Sequence, residues 1–138
     1  MSLELCALAS SYGAVNLLGI ELSESQTYSA AFPYNVVQTH YITAEDPEVI
    51  LKHRVHWLGR HLPPNYRQQI DDNMTVESCL GLSPYLIDVE GKRQEGWINY
   101  LKESFLGKDL CFIDTLSLFH ASDENDNAKM KILIDILK

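Results

Sequence analysis

A chain of 138 residues that is 46% apolar is long enough to fold as one domain around one real core. Its net charge of −8 disfavours a generic nucleic-acid surface, leaving only a localised basic patch or an oligomer's central channel for such a partner. No stretch approaches the roughly 20 apolar residues of a membrane span, and Met1-Ser2-Leu3-Glu4-Leu5 lacks a basic leader, so the expectation is a cytoplasmic protein.

Residues 2–12 place Leu5, Leu8 and Ala9 at helical spacing, with Gly13 as a stop. Residues 16–34 mix Gly, Ser, Gln, Asn and Pro with scattered apolar residues and read as loop with a short turn of helix. Residues 36–43, from Val36 to Thr43, are β-branched and aromatic and predict a strand. The next four residues, Ala44-Glu45-Asp46-Pro47, read as a strand end followed by a helix start, with Asp46 as N-cap and Pro47 in the first turn.

The helix expected over residues 47–61 carries Val49, Ile50, His53, Trp57 and Leu58 on roughly one face. Pro63-Pro64 stops it, and a short helix follows over residues 64–71. Residues 75–80 suit an edge strand, and residues 81–92 a loop. Trp97, Ile98, Leu101 and Phe105 mark a helix over residues 95–105, closed by Gly107. Residues 110–116, Leu110-Cys111-Phe112-Ile113-Asp114-Thr115-Leu116, read as a buried strand of a parallel sheet that ends in a carboxylate and a hydroxyl. A polar loop over residues 122–127 precedes a last helix over residues 125–137. Strands alternating with helices predict an α/β fold, a parallel sheet flanked by helices. Only three strands are found where about five are usual, and the chain opens and closes inside helices. The expectation is therefore a single incomplete domain spanning 1–138.

An acid at the carboxyl end of a parallel strand lies where open α/β sheets bind ligands. Glu45-Asp46 and Asp114 both end strands, so they are expected on one edge of one sheet. One carboxylate there suits Mg²⁺ held through water, and the other suits polarising an attacking water. The plainer alternative makes Asp46 a cap and Glu45 a solvated end. His53, His56 and His61 are expected on a helix surface, because no third ligand is spaced to complete a metal site. His120 is expected in packing or a loop, and Asp123-Glu124-Asn125-Asp126-Asn127 as a solvated loop. Cys6, Cys79 and Cys111 are odd in number, widely spaced and set in apolar contexts, so they read as reduced core residues. The sequence contains no G-x-x-x-x-G-K-[ST] phosphate loop.

Four blocks taken in order resemble the hexameric replicative DNA helicases of broad-host-range plasmids, a RecA-like branch of the P-loop ATPases. They are Tyr41-Ile42-Thr43-Ala44-Glu45-Asp46-Pro47, His53-Arg54-Val55-His56-Trp57-Leu58-Gly59-Arg60-His61-Leu62, Phe112-Ile113-Asp114-Thr115-Leu116-Ser117-Leu118-Phe119-His120 and Asp123-Glu124-Asn125. The resemblance implies a partial RecA-like sheet, with ATP and Mg²⁺ as ligands, a homo-hexamer and single-stranded DNA. It implies that Glu45 activates the hydrolytic water, with Asp46 beside it. It implies that Asp114 is the Walker B acid holding Mg²⁺ through water, with Thr115 adjacent. Met1-Ser2 stands where the Walker A loop would end, so the resemblance leaves Ser2 as either that motif's last remnant or an accident of where the sequence starts. Without the loop, the chain is expected to be a fragment or truncated relative with weak or no ATPase activity. The alternatives are a regulatory protein docking on a helicase ring or a basic partner, and a metal-dependent phosphohydrolase.

Overall fold

Three five-residue strands frame the protein in a computed structural model that describes Leu3, residues 38–60, Leu62 and residues 64–138. They are β1 (Thr39–Thr43), β2 (Met74–Ser78) and β3 (Leu110–Asp114), paired in parallel in the order β2-β1-β3. β1 is buried along its whole length, as a strand flanked by parallel neighbours and covered on both faces must be. The registers set Thr43 level with Ser78 on one side and with Asp114 on the other. Two helices, α1 (Glu48–Arg60) and α2 (Pro64–Asn73), carry the chain from β1 to β2. A long loop and α3 (Glu95–Phe105) carry it from β2 across to β3. A 3₁₀ turn (Leu116–Phe119) and α4 (Asn127–Ile136) follow. This is the α/β architecture expected from the sequence, with a parallel sheet flanked by helices.

The two-residue pleat divides the core between the sheet's faces. Tyr41 and Leu51 pack with Leu3 on one face, joined by Val55, Leu58, Met74, Val76 and Phe112. Ile42, Cys79, Ile98, Leu101 and Phe119 pack on the other, with Leu133 of α4. Cys79 is buried and Cys111 half-buried, and both are free thiols; Cys6 lies outside the described residues.

The inward face of α1 departs from expectation. Leu51 and Gly59 are its buried residues, with Val55 and Leu58 half-buried between them, whereas Val49 is 71% exposed and Trp57 53%. Positions 51, 55, 58 and 59 also follow helical periodicity, and the smaller side chains let α1 lie close to β1 and β2. Asp46 is not the expected cap either. The first turn is closed by Ile50 and Leu51 donating to the Pro47 carbonyl at 2.9 and 3.2 Å, and the Asp46 carboxylate turns instead to Arg54.

The segment between β2 and α3 is fastened along its length. Leu86 donates to the Phe119 carbonyl at 2.8 Å, and Ile87 bridges to both Arg93 and His120. The Asp88 carboxylate accepts from the Glu90 and Lys92 amides, both at 2.9 Å, while Ser122 Oγ donates to the Asp88 carbonyl at 2.6 Å. Asp126 caps α4 by accepting from the Ala128 and Lys129 amides, and these bonds hold its carboxyl below the usual carboxylate range. Among the described residues, no helix is long and apolar enough to cross a membrane.

Candidate functional site

Because all three strands run the same way, their carboxyl ends open along one edge of the sheet. Glu45 and Asp46 follow β1 there, Asp114 ends β3, and Thr115 and Ser117 follow it. The Thr115 hydroxyl donates to Glu45 Oε1 at 2.9 Å and lies 3.1 Å from Ser117 Oγ. The Tyr41 hydroxyl donates to Asp114 Oδ2 from beneath, its ring buried in the core. The Glu45 amide donates to Thr43 Oγ1 at 3.1 Å, fixing the turn out of β1, and Ser78 Oγ donates to the Asp46 carbonyl at 2.6 Å. Glu45 is thus tied to Thr115, the residue that follows Asp114 in the chain.

Their surroundings differ. Glu45 is exposed, whereas Asp114 is half-buried and tied to the core. Asp46 accepts from the guanidinium of Arg54 in the second turn of α1, a charge-assisted bond that sets both side chains beside the crevice. With both groups partly exposed, that pair contributes little to stability. Ser2 lies outside the described residues.

The groups brought together are oxygen donors: the Glu45 and Asp114 carboxylates and the Tyr41, Thr115 and Ser117 hydroxyls. That is the chemistry of a hard cation such as Mg²⁺, which keeps most of its waters and needs one or two carboxylates plus substrate phosphates. Among the described residues, no three His, Cys, Asp or Glu side chains form an all-protein metal cage. Asp114 and Thr115 fit the metal side of such a site, and Glu45 the solvent side.

His53 and His56 are exposed on α1, and His61 lies outside the described residues. His120 is buried, its Nδ1 3.0 Å from the Ser122 carbonyl. It also lines a cavity of about 260 Å³ with Leu116, Ser117 and Leu133 beside the crevice. Asp123 accepts from the amide and side chain of Asn125, bonds that hold its carboxyl low and close the loop ahead of α4.

Three participants escaped the sequence reading: Tyr41, Ser117 and Arg54. Tyr41 had a usable signal, since it lies two residues before Thr43 and so shares a sheet face with Asp114. A further polar cluster lies toward the amino end of the sheet. His40 is buried on β1, with Nδ1 2.7 Å from Thr75 Oγ1 and Nε2 3.2 Å from Glu77 Oε2. The Tyr100 hydroxyl donates to the other Glu77 oxygen, a bond that pushes the phenol up to about 12. Burial pushes the Cys79 thiol up to about 11, which keeps it protonated and unreactive at neutral pH.

Compared with known protein families, the chain matches a family model described as an AAA domain over residues 29–138.

Proposed function

Since the chain belongs to the AAA domain family of nucleotide-binding ATPases, we propose that its crevice is the acidic half of an ATP-hydrolysing site in a replicative helicase motor. The observation that carries this reading is that Glu45 accepts from Thr115, the residue following Asp114, while Asp114 accepts from Tyr41, all at the sheet's carboxyl edge. Glu45 Oε2, left open while Oε1 accepts from Thr115, takes the proton of the attacking water. The Thr115 hydroxyl aims that carboxylate, and the Tyr41 hydroxyl holds the Asp114 carboxylate at the sheet's edge. Asp114 and Thr115 are the residues that would hold Mg²⁺, and the ion would supply neutralisation of the phosphate charge. Asp46 and Arg54 flank the nucleotide, and Ser2 is the remnant of the phosphate-loop hydroxyl. In this reading the subunits form a hexameric ring that moves along single-stranded DNA.

These 138 residues contain no G-x-x-x-x-G-K-[ST], so they lack the backbone amides and lysine that seat the β- and γ-phosphates. The chain alone therefore hydrolyses ATP weakly or not at all, and forms one incomplete core. The experiment is calorimetric titration with MgATP, paired with phosphate release from the chain alone and from mixtures with a full-length helicase subunit. No tight binding alone, and turnover in mixtures that Glu45→Gln abolishes, supports the proposal. Micromolar MgATP binding by the chain alone overturns its inactivity, and mixed turnover indifferent to Glu45→Gln overturns the role of Glu45.

A second reading rests on the exposed Val49, Ile50 and Trp57 of α1. Apolar side chains on an outer helix face suit a protein that docks on such a ring and regulates it. Co-elution with the ring but no gain in turnover favours this reading.

A further inference from the structure

Away from the crevice, α1, α2 and β2 enclose a groove of about 460 Å³ whose chemistry is two-sided. Its floor is aliphatic, made by Val55, Ile70, Met74 and Val76, and its rim is cationic. Lys52, His56 and Arg60 follow one another at four-residue intervals, so they form a single stripe about 12 Å long on α1. Arg67 faces them from α2; among the described residues Asp71 is the one acid lining the groove, and Lys52 also pairs with the exposed Glu48 one turn before it. In a chain of net charge −8, this places three of its 11 lysines and arginines around one apolar floor. Arg67 is also held in place, donating to the Leu62 and Arg60 carbonyls at 2.9 and 3.1 Å. Val49, three residues before Lys52 on the same side of α1, extends the apolar surface beyond the rim.

We propose that this groove docks an acidic amphipathic helix of a partner protein, its apolar side chains on the aliphatic floor and its carboxylates along the Lys52–His56–Arg60 stripe. Charge selects the sign of the partner. The floor selects its kind, because single-stranded nucleic acid is held by stacking on aromatic side chains, and among the described residues no Phe, Tyr or Trp lines the groove. Four aliphatic side chains instead offer the seat that helix-in-groove recognition uses. The stripe's rise of about 6 Å per step equals that of acids placed four residues apart on a helix.

The test is fluorescence anisotropy of the chain with a labelled helical peptide of about 14 residues, four turns carrying Leu on one face and Glu beside it. Arms use the same peptide with Lys for Glu, an oligothymidine strand, and sedimentation of the chain alone. The double variant Lys52→Glu/Arg60→Glu changes only exposed side chains, and its fold is checked by circular dichroism. The expected result is micromolar binding of the Glu peptide, weakened about tenfold or more by the double variant and by high salt. Absence of binding overturns the proposal, as does equal affinity for the Lys peptide or for the double variant. Oligothymidine binding that depends on Lys52 and Arg60 reassigns the groove to nucleic acid. Self-association that depends on them reassigns it to a second copy, and either result also overturns the proposal.

Discussion

Tyr41→Phe removes one oxygen from the junction between the core and the crevice. Tyr41 is 3% exposed and packs with Leu51, so phenylalanine keeps the ring's packing and loses the bond to Asp114. A hydrogen bond to a charged group contributes about 1.5–3 kcal/mol. Asp114 is half-buried, so water replaces part of that bond, and the expected loss of stability is about 1–2 kcal/mol. Urea unfolding followed by circular dichroism reads the loss as a lower midpoint at unchanged slope. Adding Asp114→Asn closes a double-mutant cycle, which should show a coupling of about 1 kcal/mol between the two side chains. Tyr41→Phe within about 0.3 kcal/mol of the parent, or strict additivity with Asp114→Asn, would refute the claim that the buried phenol holds this carboxylate.

Three other outcomes follow from the same packing. Burial pushes His40 below the ordinary imidazole value, with Glu77 opposing and Lys108 assisting. The unfolded chain therefore takes up that proton near pH 6.5 before the folded chain does, and His40's contribution to stability is lost as pH falls below that value. Urea midpoints measured from pH 7.5 down to 5.5 should fall more steeply for the parent than for His40→Gln. At Gly59, inside α1, an added Cβ meets among the described residues only Arg67 Cγ, at 3.8 Å, so Gly59→Ala should stabilise the fold by about 0.5–1 kcal/mol, seen as a raised thermal midpoint. At Gly91, φ is +83° and an added Cβ lies 3.0 Å from Lys129 Cγ, so Gly91→Ala should cost about 1–2 kcal/mol and lower that midpoint.

The strands and α3 were legible because their signals are local. β-Branched and aromatic runs bounded by Gly and polar residues located β1 and β3 to within a few residues, and Trp97, Ile98, Leu101 and Phe105 located α3. The inward face of α1 was not, because two overlapping stripes both follow helical spacing and the larger residues lie on the outer one. Only the position of the sheet decides that Leu51 and Val55, not Ile50 and Trp57, face the core. The shared edge of Glu45 and Asp114 followed from strand direction alone. Thr115 as the connection and Tyr41 as the support depend on side-chain reach across paired strands, which chain order does not encode. The fastening between residues 86–94 and 119–122 was likewise read as loop, because its bonds run through the backbone and through Asp88 and Ser122.

The most direct measurement of the crevice is paramagnetic broadening of amide resonances by Mn²⁺, an ion with Mg²⁺-like preference for oxygen ligands. Broadening centred on Glu45 and on residues 114–117, removed by Asp114→Asn and displaced by excess Mg²⁺, is the expected result. Broadening confined to residues 123–126, or unchanged by Asp114→Asn, would contradict the assignment of Asp114 as the metal-holding acid.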